Sequence, residues 1–353
     1  MAAHTGSPRL AVTPVRLALR APIQTAWGEL RERALLRVVL AWSDGDYGVG
    51  EAAPLEPYDG VALGAVAAAL QVYASVLRDR APDDGHAQLL AACAAERDLP
   101  QALSAIDLAL WDRAGRRAGR PVAELLAADA RAAVTVNATV GASDRGAAAA
   151  MAAAAARAGF ACVKVKVGIG DDAGRVAAVR AAVGPEVAIR VDANGAWATP
   201  EEALANLRAL APAGLEYAEE PVHGVEALRA VRAGSPVAIA MDETAAEPGA
   251  VASGATDAVC LKIARCGGIT GILRDAAAAR AVGAAVYVAS SFDGPLGIAA
   301  GIHAAAALAA SGPVAPCGLA TLSAFAGDEA TPAPSRGAIA VPRGPGLLGA
   351  PAP

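Results

Sequence analysis

Lysine is nearly absent from this sequence. Of 30 basic residues three are lysine, which leaves 27 arginines, so almost every ordinary surface cation is written as arginine. Aromatic residues make up 3% of the 353 positions against 55% hydrophobic letters, mostly alanine and valine. Even so, no window reaches the ~20 consecutive apolar residues of a membrane-spanning helix. The N-terminus MAAHTGSPRLAVTPVRL lacks the basic start and apolar core of a secretion signal, so the cytoplasm is the expected location. The five cysteines, Cys93, Cys162, Cys260, Cys266 and Cys317, are odd in number and form no CxxC spacing, which argues against a disulfide framework and a structural zinc site. A net charge of -5 with scattered arginines gives no basic stripe for nucleic acid. The expected partner is a small molecule, with no membrane and no nucleic acid involved.

What is present falls into two textures. Residues 1–127 open with strand-like segments, RLAVTPVRLAL and ERALLRVVLAWSDGDYGVGEAAP, and turn helical through GVALGAVAAALQVYASVLRD and PQALSAIDLALWDRAGRRAGRPVAELL. This predicts an α+β unit whose last helix stops at Gly119 and Pro121. Residues 128–322 repeat a short β-branched strand followed by an alanine-rich helix. The strands are AVTVNATV, CVKVKV, VAIRVDA, LEYAEE, VAIAMDE, AVCLKIA, AAVYVASS and a weaker GPVAPCG. Eight such units predict an α/β fold, a TIM-type βα barrel with an α+β capping domain. Residues 323–353 are rich in proline and glycine, with a short edge strand in GAIAVP, and are expected to pack back on the capping domain.

A barrel of this kind carries its chemistry at the C-terminal ends of its strands. Polar residues recur there: Lys164 and Lys166, then Asp192, Glu219, Asp242, Lys262, and the pair Ser290 and Ser291. From Lys166 the intervals are 26, 27, 23, 20 and 28 residues, about one βα unit each, so these side chains converge on one mouth. Three carboxylates without histidine or cysteine beside them form a hard oxygen donor set suited to magnesium, with manganese as a substitute, rather than zinc. Of the paired acids, Glu219 and Asp242 are expected inward. Any single acid at a strand end is as readily a helix cap; three in register are not.

The lysines then acquire a reason. Only lysine can lose its proton near neutral pH, whereas arginine stays charged. Lys164 and Lys166, two apart on one strand face, are expected to lower each other's pKa toward that of a general base. A metal facing lysines predicts proton abstraction beside a carboxylate with an enolate intermediate.

The motifs VKVKVG, RVDANGAW, YAEEPV, AMDET and LKIARCGGITG resemble, in order and spacing, those of the muconate-lactonizing branch of the enolase superfamily, over nearly the whole chain. The resemblance implies that Asp192, Glu219 and Asp242 bind magnesium and that Lys166 and Lys262 flank the substrate. Lys164 would tune Lys166 and touch the substrate carboxylate. It further implies that Asn194 and Glu243 orient the ligands and the Lys262 ammonium. Within the branch, VASSFDGPLGIAAG and CGLATLSAFAGDE are most similar to o-succinylbenzoate synthases, whose dehydration belongs to menaquinone biosynthesis. No D-x-D pair of the dipeptide epimerases stands in GPVAPCGLATLS, nor a methionine-leucine-glutamate run of the cycloisomerases at Ser290. N-succinylamino acid racemase, dipeptide epimerase and muconate-type cycloisomerase stay open as alternatives, as do homo-oligomers.

Ser290 and Ser291 are the candidates to hold a distal substrate carboxylate. Residues 20–33, RAPIQTAWGELRER, form a candidate lid bearing Gln24, Thr25 and Trp27. Phe292 and Asp293 depart from the small residues expected after the serines, and His303 reads as core. Two other classes compete: a Schiff-base aldolase, which leaves three inward carboxylates unexplained, and a barrel that only binds.

Overall fold

The protein is described by a computed structural model over residues 7–25, 28–81, 84–327 and 332–349. Strands β1 (Arg9–Thr25), β2 (Gly28–Ala41) and β3 (Tyr47–Ala52) form an antiparallel sheet in that order. Of residues 20–33, expected as a lid loop, 20–25 and 28–33 continue this sheet: Ile23 pairs with Leu30 and Thr25 with Gly28 beyond a register shift after Ala18. Helices Leu63–Arg78 and Pro100–Ala118 cover one face of the sheet, and His86–Glu96 packs against both of them. Helix Pro100–Ala118 begins at a proline, which costs nothing where the N–H has no helical partner, and ends at Gly119, whose φ of 66° is the left-handed stop. It lies directly on β3, because Gly48 and Gly50 place no side chain where a Cβ would meet the Ala109 and Ala105 carbonyls.

The second unit is a parallel sheet of seven strands in sequential order: β5 (Ala138–Val140), β6 (Cys162–Lys166), β7 (Ala188–Asp192), β8 (Leu215–Glu219), β9 (Ile239–Met241), β10 (Ala258–Lys262) and β11 (Ala285–Ala289). The expected first strand is split, since β4 (Ala133–Thr135) turns away to pair antiparallel with β12 (Ala338–Ala340), the predicted edge strand of the tail. The weak eighth strand is reduced to isolated bridges. Val314 and Gly318 pair with β11, and Cys317 pairs with Val136, so this segment bridges the two ends of the sheet.

Alternation decides what each strand offers to which side. In β6, Val163 and Val165 are fully buried against the surrounding helices, together with Val176 and Val179. Each such side chain contributes roughly 1.5–3 kcal/mol by leaving water. Cys162, Lys164 and Lys166 therefore point to the barrel interior. The alanine runs are helices, Arg145–Arg157 and Ile269–Ala281, as alanine's helix propensity predicts. Among the described residues no helix is long and apolar enough to cross a membrane.

Candidate active site

Parallel register puts Lys166, Asp192 and Glu219 side by side: Lys166 is opposite Asp192, and Asp192 opposite Glu219. The Lys166 ammonium donates to Asp192 Oδ2 at 2.6 Å and to Asn194 Oδ1 at 2.7 Å. Lys164, one inward position lower, reaches Glu219 Oε1 at 2.7 Å and Asp192 Oδ2 at 2.8 Å. At the end of β10, Lys262 donates to Asp242 Oδ2 at 2.7 Å and to the Tyr58 hydroxyl at 2.6 Å. All three lysines of the chain thus meet the three strand-end carboxylates.

The choice between paired acids is resolved by backbone geometry. Glu220 has a φ of 40° and turns its carboxylate away from the mouth, to the backbone N–H groups of Asp242 and Thr244 and to His223. Glu219 and Asp242 are left facing inward. Glu243 Oε1 accepts from Asn194 at 2.9 Å. Lys262 takes its hydrogen-bond partners from Asp242 and Tyr58, where the sequence reading expected Glu243 to orient it.

The lysines, Asp192 and Asp242 line a cavity of about 120 Å³ together with Ser290 and Ser291. Ser290 Oγ lies 2.7 Å from Thr321 Oγ1. An adjoining cavity of about 530 Å³ shares Thr139, Lys166 and Phe292 with the first and is lined by Gln24 and Thr25. Trp27 lies outside the described residues.

Several residues at this site escaped sequence reasoning. Tyr58 donates to Asp242 Oδ1 at 3.0 Å, and Arg265 Nη1 reaches both groups, at 2.9 Å to Tyr58 and 3.0 Å to Asp242. Arg265 sits one helical turn past Lys262, a spacing that could have flagged it. Tyr58 belongs to the capping domain, and no local pattern in the sequence connects it to β10.

Electrostatics departs from expectation at Lys164. Burial opposes its charge, but Asp192, Glu219 and Asp242 outweigh burial and hold its pKa well above the ordinary lysine range, a net shift opposite to the one expected. Burial likewise raises Asp192, yet Lys164 and Lys166 bring it down to about 2. Glu219 is pushed up to about 7 by burial and by Asp192 and Asp242, against the pull of Lys164. Its Oε2 is buried with no hydrogen-bond partner. A buried carboxylate crowded by two others and keeping a free oxygen is what a divalent cation relieves, so Asp192, Glu219 and Asp242 fit a magnesium-type ion.

One expectation fails: a cysteine does stand beside the acids. Ligand atoms of Glu219, Asp242 and Cys260 lie within 4.8 Å of one another. Burial holds the Cys260 thiol well above its usual pKa, and a protonated thiol does not compete with carboxylates for a hard cation.

Known proteins share the two domains and the fold. A family model described as mandelate racemase / muconate lactonizing enzyme, N-terminal domain, matches residues 9–127. A second, described as enolase C-terminal domain-like, matches residues 147–349. The o-succinylbenzoate synthase of Mycobacterium tuberculosis is 42% identical over 221 residues, 60% of this chain and 64% of that protein. A hydrophobic dipeptide epimerase of Enterococcus faecalis is 34% identical over 178 residues, 48% and 50% of the two chains. This chain therefore spans half to just under two thirds of the length of these curated relatives. The solved dipeptide epimerase of the latter organism, complexed with Mg and L-Leu-L-Tyr, aligns over 97% of this chain and 99% of its own with a TM-score of 0.88 at 25% identity. The muconate lactonizing enzyme of Pseudomonas fluorescens, complexed with muconolactone, aligns over 98% and 96% with a TM-score of 0.88 at 26% identity. On its motifs, its two matched domains and its fold, the chain belongs to the enolase superfamily, in the muconate lactonizing enzyme subgroup.

Proposed function

We propose that this protein is a magnesium-dependent enzyme that removes a proton alpha to a carboxylate, and that its reaction is the dehydration that yields o-succinylbenzoate. The observation carrying this reading is that Lys166 and Lys262 line one cavity from β6 and β10, with three strands between them, and that Asp192 and Asp242 line it too. A substrate carboxylate seated there presents its α-carbon between two lysine side chains.

Asp192, Glu219 and Asp242 would hold the cation, which would supply positive charge against the second negative charge of an enolate. Lys166, in its neutral form, takes the α-proton. As the resulting ammonium it returns a proton to the departing β-hydroxide, so that water leaves and the C–C double bond forms. Lys262 stays protonated: burial opposes its charge, but Asp242 outweighs burial and keeps its pKa well above the ordinary lysine range. It acts as fixed positive charge opposite the base. Ser290, Ser291 and Thr321 give the far wall of the cavity neutral hydroxyls suited to a second carboxylate.

The charge pattern of the cavity disfavours dipeptides. Asp192 and Asp242 are the only acids among the described residues lining the cavity, and both are engaged by lysines, so none is free for a substrate ammonium. The larger adjoining cavity supports a second activity on the same lysines, racemisation of N-succinylamino acids, because Ile23, Val167 and Ile169 offer an apolar lining for an amino-acid side chain.

The test is the magnesium-dependent loss of the cyclohexadiene chromophore of the synthase substrate. Turnover by the wild type, abolished by EDTA and by Lys166→Ala, supports the reading. An inert wild type overturns it.

A further inference from the structure

The turn after β11 carries the two residues that the sequence left unexplained, Phe292 and Asp293. Phe292 has a φ of 58°, a left-handed conformation that a bulky residue adopts only when its surroundings impose it. The imposing groups come from the capping sheet. Arg33 on β2 donates Nε to the Phe292 carbonyl at 3.1 Å, and Glu51 on β3 accepts from the Gly294 N–H at 2.7 Å. The rest of the Arg33 fork points elsewhere: Nη1 donates to the Pro54 carbonyl at 2.9 Å and Nη2 to Ala53 at 3.1 Å. Pro54 leads directly into Leu55 and Tyr58.

These contacts matter because the substrate cavity has two walls. Leu55 and Tyr58 line it from the capping side, and Ser290, Ser291 and Phe292 from the barrel side. Arg33 is bonded to the backbone carrying each. Arg33, Glu51 and Asp293 are all buried, at 3%, 3% and 2% exposure. The approach is close enough to require glycine: a Cβ on Gly294 would collide with the Glu51 carboxylate and with Leu35, and one on Gly297 would press on Asp293 and Glu51. The G-P-L-G of this turn is therefore part of the same device.

We propose that Arg33 is a positioning residue for substrate binding: its single guanidinium, seconded by Glu51, fixes the Ser290–Phe292 wall against the Ala53–Tyr58 wall and so sets the width of the cavity. This rests on the reading that the cavity binds a dicarboxylate substrate. A planar fork of donors spanning three carbonyls on two segments cannot be replaced by a lysine ammonium, so Arg33→Lys keeps the buried charge and loses the clamp.

Two measurements on the full chain separate the clamp from the reaction. Peptide-resolved amide hydrogen exchange on wild type, Arg33→Lys and Arg33→Met requires no substrate. Exchange about tenfold faster at residues 290–297 and 53–60, with other protected peptides unchanged, is expected of a local clamp. Unchanged exchange, or a uniform increase across the molecule, overturns it. Where Arg33→Met does not fold, Arg33→Lys carries the comparison alone. In kinetics, Arg33→Lys is expected to raise KM about tenfold while kcat changes less than about threefold, the mark of lost positioning in binding rather than lost chemistry. Local loosening with an unaltered KM removes the positioning role and leaves only a structural contact. A wild type inert on the synthase substrate and on N-succinylamino acids defeats the proposed function and with it the role in binding, while exchange still decides whether the clamp exists.

Discussion

The ammonium of Lys262 donates to the Tyr58 hydroxyl at 2.6 Å, joining the barrel to a capping residue 204 positions earlier. The phenol is fully used, since it accepts from Lys262 and Arg265 and donates its one proton to Asp242. Lys262 also stands 4.1 Å from the centre of the Tyr58 ring. Tyr58→Phe keeps the ring and its cation–π contact but removes the hydroxyl from all three partners. Hydrogen bonds to charged groups are worth roughly 1.5–3 kcal/mol, which corresponds to a fall in kcat on the order of 10- to 100-fold. Steady-state kinetics with a thermal unfolding control checks this. A kcat within a factor of two of wild type would show that Tyr58 does not support Lys262.

Magnesium binding is expected to be visible without any substrate. A ligand that binds only the folded chain stabilises it by about 2.7 kcal/mol at one hundred times its dissociation constant. Because Glu219 keeps a buried oxygen with no partner, Glu219→Gln removes the negative charge and one of the two donor oxygens where the cation has most to gain. Urea unfolding at rising magnesium should show wild type becoming steadily more stable and Glu219→Gln barely responding. Equal responses from both proteins would take Glu219 out of the donor set.

The placement of the site was legible because its chemistry is periodic in the sequence. Lys166, Asp192, Glu219, Asp242 and Lys262 recur at strand ends, and parallel register alone brings the first three level. The scarcity of lysine sharpened this, as a residue used three times in 353 positions has little surface background. What escaped was whatever depends on contact between distant segments. Tyr58 and Arg33 reach the mouth only because the capping sheet packs on it. The break between Ala133–Thr135 and Ala138–Val140 depends on the first of them pairing with Ala338–Ala340, 203 to 207 positions away (338 less 135, 340 less 133). The state of Lys164 turned on three carboxylates folding around it, whereas its sequence neighbour suggested the opposite shift.

His303 was expected in the core, and there it gives stability a defined pH dependence. The ring is fully buried. Nδ1 accepts from the Ala123 N–H at 3.1 Å, which leaves the proton on Nε2 to donate to the Leu347 carbonyl at 2.8 Å. Burial holds its pKa down to about 4, only partly offset by the Leu347 contact, against 6.5 ordinarily. Between those values the unfolded chain binds the extra proton, so stability rises with pH across the window. The contribution is complete above pH 6.5 and is lost as pH falls toward 4, a change of about 3 kcal/mol. Urea unfolding of wild type and His303→Gln from pH 4 to 7.5 isolates it, because groups common to both proteins cancel in the difference. The wild-type curve should climb more steeply through the window and run parallel to the variant above it. Parallel curves throughout would mean that His303 titrates alike in the folded and unfolded chain.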